Sequence, residues 1–423
     1  MPLPPSLRAL RSGAFRRYYA GQAVSVLGTW IQSVALMWLA YRLSGSTVFT
    51  GLVGFLNSIP YLVLSPFAGV LGDRMDRRRI LLVVLGLLTL QATLLAILSA
   101  TGAITMPGLA ALALFGGLCN AFETPTRQSF FVQVIEDRGD LPNAIALNSV
   151  LMNGARLAGP SLGGLLVAGF GETICFAINA ASYLAVIAAL VATRVVREAP
   201  RRTGTRILAD LAEGWRFAMG FAPVRRMMLL LGTLSLTLGP HSTLMPAIAV
   251  KTYGRGSELV GLFIGCVGLG AVVAAVSLAR RPSVRGLARW IASAALLAGL
   301  GMTGFALSRS IPLAAAFITI AGFGMFLAAA GCNTILQSIV EDDRRGRVMS
   351  WYTLFFIGSL PLGHLAAGWT ADLIGAPQAL LAGGLACTLA GVAFASGLSS
   401  FREQLRPVYL QRGIIPAAED PPR

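Results

Sequence analysis

The sequence predicts an all-α integral membrane protein with 12 transmembrane helices in two pseudo-symmetric six-helix bundles. Three observations support this fold class. Of the 423 residues, 55% are hydrophobic and only 12% are charged, which is about half the charged share of soluble domains. The apolar residues come in stretches of about 20, the length of a helix that crosses a bilayer. The two halves of the chain also resemble each other in sequence.

The spans are placed by these apolar stretches and by the charged or Gly- and Pro-marked breaks between them. They cover residues 18–42, 48–71, 80–101, 107–130, 143–170, 173–193, 226–250, 258–279, 288–308, 312–338, 346–374 and 376–400. A polar segment, 194–225, separates six spans from six. It contains ILADLAEGWRFAM, whose apolar spacing predicts a short helix on the membrane surface. The predicted domains are therefore 1–193, the linker 194–225, 226–400 and a tail at 401–423.

The placement of the basic residues predicts the orientation. With the amino terminus inside, the outer loops hold four of the 34 basic residues and two lie within spans, so 28 face the cytoplasm. This follows the positive-inside rule and accounts for the net charge of +16 without a nucleic-acid partner. The first basic stretch leads into a full-length span, unlike the short core of a signal peptide. We expect a multi-pass monomer in the lipid bilayer with both termini in the cytoplasm.

Several segments of the first half of the sequence are similar to segments of the second half. FVQVIEDRGDLPNAIALNSVL (131–151) resembles QSIVEDDRRGRVMSWYTLF (337–355), and GPSLGG (159–164) aligns with LPLGHL (360–365). Many secondary transporters are built from such a duplication, with the substrate site between the halves near the bilayer midplane.

Residues 69–79, GVLGDRMDRRR, carry a family resemblance. They resemble the major facilitator signature G-x-L-x-D-R-x-G-R-R, with Asp76 in place of the second glycine. Over nearly its full length the chain is also similar to one bacterial branch of that superfamily, the transmembrane secretion effectors. The stretches that carry this similarity are 15–36, 143–166 and 344–363. The resemblance implies the major facilitator fold, a bacterial cytoplasmic (inner) membrane and export of a small molecule, but not which molecule.

The same loop predicts a cytoplasmic gate. Topology requires its arginines but not its aspartates, because Asp contributes little to orientation. An Asp at the end of a span can accept hydrogen bonds from the free N–H groups that open a neighbouring helix. We expect Asp73 to face the start of span eleven near Arg347–Ser350, and Arg77 to pair with Asp137. The gate residues are Gly69, Asp73, Arg74, Arg77, Arg78 and Asp137. The alternative is a charge cluster that only stops translocation, and Asp76 has no role in either scheme.

GARLAGPSLGG in span five resembles the G-P-x-x-G-G signature of exporters in the superfamily. The motif residues are Gly154, Gly159, Pro160, Gly163 and Gly164. Proline removes a backbone donor and can bend the helix, and the glycines allow a neighbouring backbone to come close. We expect a small-faced helix that seals or bends during transport. Ordinary close packing would use the same glycines.

Three charged residues lie well inside the predicted spans, where each costs about 2.5–3.5 kcal/mol and therefore faces a cavity or a partner. Glu123 and Arg127 are four apart on span four and share a helix face. We predict that Glu123 binds the coupling proton, with His241 as a second acceptor. The predicted cavity residues are Arg127, Arg156, Asn153, Gln32, Asn57 and Asn333. A permanent Glu–Arg pair and ordinary hydrogen bonds between helices are the alternative.

These features predict a secondary active exporter of a bulky small molecule, siderophore-like or drug-like, driven by proton antiport with alternating access. An anionic substrate that recruits the Arg neighbour of Glu123 would change that residue's proton affinity. An uptake symporter or lipid flippase of the same fold stays open, as does, more remotely, a membrane sensor or scaffold. The sequence has no phosphate-binding loop, nucleophile elbow or metal-ligand spacing among its five Cys and two His. We therefore expect neither an enzyme nor a cofactor.

Overall fold

The computed structural model describes residues 5–193, 207–281, 283–412 and 414. This part of the chain is helical and contains no strand, which confirms the predicted all-α fold. Its contacts divide the chain into two compact units. The first consists of Met1–Gly204, His241–Gly268 and His364–Ala376, and the second of Thr205–Pro240, Leu269–Gly363 and Pro377–Arg423.

The first unit contains the N-terminal half of the chain and two later segments. Its helices are α1 (Gly13–Ser44), α2 (Thr47–Arg74), α3 (Arg77–Ala100), α4 (Met106–Gln133), α5 (Leu141–Phe170), α6 (Glu172–Ala192), α9 (His241–Lys251), the first part of α10 (Ser257–Ala279) and the end of α14 (Ser359–Ile374). Side chains cap several helix starts, which satisfies N–H groups that have no partner within the helix. The Ser12 hydroxyl, for example, accepts a hydrogen bond from the Phe15 N–H at 3.2 Å. At the other end of α1, Gly45 takes a φ of +63°, a common way to end a helix.

The second unit contains the linker helix and most of the C-terminal half. Its helices are α7 (Ile207–Gly220), α8 (Ala222–Leu238), the rest of α10, α11 (Leu287–Leu307), α12 (Ile311–Ile339), α13 (Asp342–Phe356), the start of α14, α15 (Ala376–Ser396) and α16 (Leu398–Gln411). Helix α7 corresponds to the surface helix that the sequence predicted in the linker, and it packs on α13. The Trp215 and Trp351 ring centroids are 4.6 Å apart.

The membrane-spanning helices agree with the predicted architecture. Within the described residues, ten helices are long and apolar enough to cross a membrane, or eleven if the bent pair that ends at Lys251 is one span. Helix α5 is not among them, because Arg156 and several glycines make it less apolar. It nevertheless has 30 residues, which extend about 45 Å at 1.5 Å per residue. When α5 is added and the bent pair is counted as one span, the described helices correspond in number to the 12 predicted spans.

Candidate functional site

Glu123 and Arg127 form a buried ion pair on one face of α4. Arg127 Nε lies 2.8 Å from Glu123 Oε1, and the two side chains are 18% and 12% exposed, respectively. The Thr124 hydroxyl donates to the other carboxylate oxygen at 3.2 Å. Pro125 lies between the two charges without ending the helix. A buried pair of this kind is stable only while each charge keeps a partner, because removing one leaves the other uncompensated.

Three tyrosines on other helices interact electrostatically with this pair. Tyr18 of α1 and Tyr61 of α2 interact electrostatically with Arg127. Tyr183 of α6 does so with Glu123. Tyr18 and Tyr183 are buried at 2% and 4% exposure. The pair therefore lies in a polar environment inside the first unit, which a change in its charge would disturb.

A buried amide network joins α1, α3 and α6. Gln32 Nε2 donates to Gln91 Oε1 at 3.1 Å, and Asn179 Nδ2 donates to Gln32 Oε1 at 2.8 Å. Gln91 Nε2 also donates to the Leu112 carbonyl at 3.2 Å. Both ends of the Gln32 amide thus bond inside the first unit, and such a satisfied network specifies one helix arrangement. Sequence reasoning did not select Gln91, although a single glutamine in the apolar stretch 80–101 was the available signal.

Asn57 marks a close approach between α2 and α4. A Cβ added to Gly117 would lie 2.5 Å from the Asn57 carbonyl oxygen, so only glycine permits this distance. The Asn57 Oδ1 atom lies 3.8 Å from the equivalent position on Gly116. Asn57 therefore belongs to the contact that holds α4, and with it the ion pair, against α2.

Arg156 lies beside an aromatic ring of α1. Its Cζ atom is 6.0 Å from the centroid of the Trp30 ring, within the range of a cation–π interaction. A Cβ on Gly159 would lie 2.5 Å from Trp30 Cβ, so this glycine is what allows α5 to approach α1 here. Asn153, one turn before Arg156, donates to the Ser149 carbonyl at 2.8 Å. Arg156 and Trp30 together present a positive charge and an aromatic face.

The end of the glycine motif brings α5 against α10. A Cβ on Gly164 would lie 2.5 Å from the Ser257 carbonyl oxygen and 2.7 Å from Gly261 Cα. A Cβ on Gly261 would lie 2.6 Å from the Pro160 carbonyl oxygen. The Ser257 hydroxyl donates to the Gly164 carbonyl at 3.1 Å. The helix carrying Arg156 therefore touches a helix from the other half of the sequence at backbone distance.

The remaining motif glycines differ from one another. A Cβ on Gly163 would lie 3.1 Å from Ile31 Cα, so Gly163 packs on α1. A Cβ on Gly154 would meet nothing within 4 Å. Glycine is sterically required at the later motif positions and not at Gly154.

The two histidines, distant in sequence, come close together in the first unit. His364 Nδ1 and the Thr243 hydroxyl are 2.6 Å apart, and His241 interacts electrostatically with His364. A Cβ on Gly54 would lie 2.9 Å from the His364 ring, so α2 packs on it. Among the described residues, no group of three or more His, Cys, Asp or Glu side chains is arranged to hold a metal ion.

The loop after α2 gives Asp76 and Arg78 specific contacts. Asp76 caps α3, since its Oδ1 accepts a hydrogen bond from the Arg78 N–H at 2.9 Å. The Arg78 side chain donates to the carbonyls of Leu190 and Val191 at 3.0 and 2.9 Å. Those carbonyls lie in the last turn of α6, where the Leu190 carbonyl also accepts the Thr193 N–H at 3.3 Å. Asp76 and Arg78 together fix the start of α3 against the end of α6.

The other predicted gate residues are only partly described. Gly69, Asp73 and Arg74 lie in the last turns of α2, and their side chains fall outside the described residues. Arg77 lines a cavity of about 260 Å³ together with Glu136 and Arg138. Asp137 accepts a hydrogen bond from the Gly139 N–H at 2.8 Å.

Two predicted residues belong to the second unit. Arg347, expected near Asp73, contacts Glu213 of α7, with Nη1 and Oε2 2.5 Å apart. Asn333 on α12 accepts a hydrogen bond from Gln337 at 3.0 Å. The first of these contacts fixes the linker helix to α13.

Comparison with known proteins identifies the family of the chain. A family model described as transmembrane secretion effector matches residues 5–406. The chain is 25% identical over 367 residues to the staphyloferrin A transporter of Staphylococcus aureus, an alignment that covers 85% of this chain and 89% of the relative. It is 26% identical over 374 residues to the multidrug efflux pump Tap of Mycolicibacterium fortuitum, covering 86% and 91%.

Solved structures share the fold. A bacterial homologue of the human lysosomal transporter Spinster, in an inward-facing and unoccupied conformation, superposes with a TM-score of 0.67 at 15% identity, covering 97% of this chain and 99% of the other. The nucleoside transporter NupG gives a TM-score of 0.67 at 11% identity, covering 92% and 99%.

Proposed function

Because this chain belongs to the transmembrane secretion effectors, a branch of the major facilitator superfamily of membrane transporters, we propose that it exports a bulky small molecule in exchange for protons. The observation that carries the proposal is the buried ion pair between Glu123 and Arg127, 2.8 Å apart on α4. In this proposal Glu123 is the proton-coupling group. We further propose that the protein lies in the bacterial cytoplasmic membrane with both termini inside.

The coupling between substrate and proton depends on which positive groups can neutralise the Glu123 carboxylate. Glu123 is stable in the membrane when its charge is matched by Arg127, or when a proton neutralises it. A basic group on a substrate can take the same place. Proton and basic substrate then compete for one carboxylate, and by linkage each lowers the affinity for the other. Competition of this kind, with access alternating between the two sides, is antiport.

The sign of this coupling depends on the charge of the substrate. An anionic substrate that binds Arg127 removes the partner of Glu123 and so raises that carboxylate's affinity for a proton. Substrate and proton would then bind together, which is the coupling of a symporter. The ion pair therefore also favours a second candidate, uptake of an anionic molecule by symport. An anionic cargo exported by antiport must be held by Arg156, not by Arg127.

The proposed substrate class is based on the predicted cavity residues and on the molecules for which the relatives are named. Arg156 beside the Trp30 ring suits a molecule that carries both negative charge and an aromatic or apolar body. The two relatives are named for staphyloferrin A and for multidrug efflux. We propose a siderophore-like or drug-like cargo, and we take staphyloferrin A and a macrolide as probes of the anionic and basic alternatives.

Inside-out membrane vesicles test this function. An antiporting exporter accumulates the probe when the vesicle lumen is acidic, and a protonophore abolishes the accumulation. Vesicles with Glu123→Gln should lose the gradient-dependent part, whereas Glu403→Gln, which removes an exposed carboxylate on α16, should keep it. Accumulation driven by an acidic exterior would instead establish symport, and accumulation indifferent to the gradient would exclude proton coupling.

A further inference from the structure

A basic pocket lies in the second unit between the start of α11 and the last helix, α16. It encloses about 340 Å³, and its lining residues include four arginines and no acidic residue. The arginines are Arg285, Arg289, Arg402 and Arg406, and all four are exposed. The transport mechanism proposed above makes no use of this pocket.

Helix α16 supplies the apolar floor of the pocket. Phe401 and Leu405 are each only 1% exposed, and Phe401 packs edge-on against Phe394 with ring centroids 5.4 Å apart. Arg402 and Arg406 follow these two residues directly, so the helix buries one face and carries arginine beside it. Helices of this kind lie in the plane of the membrane interface.

A hydrogen bond holds the start of α16 in place, and a tyrosine in its last turn lines the pocket. The Arg226 side chain donates to the Gly397 carbonyl at 2.7 Å, just before the helix begins. Tyr409 lines the pocket near its other end, and burial raises the pKa of its hydroxyl to about 12. The hydroxyl therefore stays protonated at neutral pH and can donate a hydrogen bond to an anion.

The loop before α11 places the pocket at the membrane boundary. The Arg281 guanidinium lies over the Trp290 ring, with Cζ 4.4 Å from its centroid, and donates to the Arg285 carbonyl at 2.6 Å. Trp290 is 39% exposed in the first turn of an apolar spanning helix. Tryptophan at such a position marks the depth of the lipid headgroups. Arg289 of the pocket directly precedes this tryptophan, which favours a position of the pocket beside bilayer lipid.

We propose that this pocket binds the phosphate headgroup of an anionic phospholipid. Arginine pairs with phosphate oxygens through two parallel hydrogen bonds, and basic pockets beside spanning helices suit such headgroups. The half-buried Val284 and Tyr409 side chains in the lining match the glycerol and first methylenes of a lipid, which a free phosphate ion lacks. In the proposed orientation the lipid comes from the cytoplasmic leaflet. Its binding ties α16 to the membrane.

Lipid retention by the full-length protein tests the site. Protein purified in mild detergent is mixed with phosphatidylglycerol, phosphatidylcholine or inorganic phosphate, and bound lipid is counted by native mass spectrometry. A lipid-induced rise in Tm reports the same event. Phosphatidylglycerol should bind and raise the Tm, and the double variant Arg402→Gln/Arg406→Gln should bind it about tenfold more weakly, since charge-assisted hydrogen bonds are lost. Arg402→Lys/Arg406→Lys should keep most of the binding.

The matched control removes two exposed arginines of α1. Arg16→Gln/Arg17→Gln lowers the net charge equally and should bind phosphatidylglycerol as the unmodified protein does. If both double variants lose phosphatidylglycerol binding equally, net charge alone explains the loss and the proposed site is wrong. Equal stabilisation by inorganic phosphate or by phosphatidylcholine would overturn an anionic lipid as the occupant. An unchanged Tm of the lipid-free variants shows that α16 remains folded.

Discussion

Asp73, at the end of α2, and Asp76, in the loop that follows, are three residues apart, and different roles are expected for them. Asp76 caps α3 by accepting the Arg78 N–H at 2.9 Å. Replacing an N-cap by alanine costs about 1 kcal/mol, whereas asparagine caps as well as aspartate. We expect Asp76→Ala to lower the free energy of unfolding by about 1 kcal/mol and Asp76→Asn to leave it unchanged, as measured by unfolding in detergent. Equal losses in both variants would mean that the cap is not what Asp76 contributes.

We expect Asp73 to be required for transport and not for the stability of the fold. If it holds the cytoplasmic gate, Asp73→Asn should insert and fold normally but lose transport in inside-out vesicles. Asp76→Asn makes the same chemical change three residues away and serves as the control. Full transport by Asp73→Asn would show that the charge cluster only sets the membrane topology.

Arg156 should discriminate between substrates by charge. Without its guanidinium the site beside Trp30 keeps its aromatic face but not its positive charge. Arg156→Gln should therefore raise the KM for staphyloferrin A about tenfold, the loss of a charged hydrogen bond, and change the KM for a macrolide much less. Initial rates of vesicle uptake measure both values. Equal changes for the two probes would show that Arg156 acts through structure and not through charge.

The sequence predicted some of these residue contacts and missed others for a physical reason. Glu123 and Arg127 are four apart on one helix, so local geometry alone places them together. The capping role of Asp76 depends on the residue at which α3 begins, which hydropathy fixes only within a few positions. The approach of His241 and His364 depends on how α9 and α14 pack. No local pattern contains that information.

At the scale of helices, the contact between α5 and α10 depends on glycine at one end of the motif. A methyl group on Gly164 would lie 2.5 Å from the Ser257 carbonyl oxygen, whereas one on Gly154 would meet nothing within 4 Å. Gly164→Ala should destabilise the protein by about 1–3 kcal/mol through overpacking and should slow transport. Gly154→Ala is the matched control and should be neutral or slightly stabilising. Thermal unfolding and vesicle uptake of both variants give the comparison, and equal behaviour would contradict the contact.

The motif predicted a small-faced helix but not its neighbours. Glycine spacing indicates that some backbone comes close, because nothing else uses such a face. Which backbone it is depends on the packing of helices about 100 residues apart in the chain, as in the hydrogen bond from Ser257 to Gly164. The same holds for the amphipathic linker helix. Its apolar spacing predicts a helix, but it does not predict the contact between Glu213 and Arg347.

At the scale of the whole molecule, the orientation can be tested by labelling. The five native cysteines are buried or half-buried in the structure, which keeps background labelling low. Ser310 and Ser283 are both exposed, in loops at opposite ends of α11. In intact cells a membrane-impermeant maleimide should label Ser310→Cys and not Ser283→Cys. The reverse pattern would invert the proposed topology.

The fold class was predictable from composition because few structures satisfy the backbone in a bilayer. Long apolar stretches must form helices there, and the lengths of those stretches fix their number. Hydropathy predicted span five at 143–170, close to α5 (Leu141–Phe170), although this helix, which carries Arg156 and the glycine motif, is not among the ten most clearly apolar spans.

Proton exchange at substrate binding tests the central claim most directly. Purified protein in weakly buffered detergent is titrated with a macrolide between about pH 5 and about pH 8, and a pH indicator reports protons released per molecule bound. If a basic substrate and a proton compete for Glu123, binding releases protons, and Glu123→Gln releases none. Proton uptake on binding, or equal release by Glu123→Gln, would contradict antiport through this carboxylate.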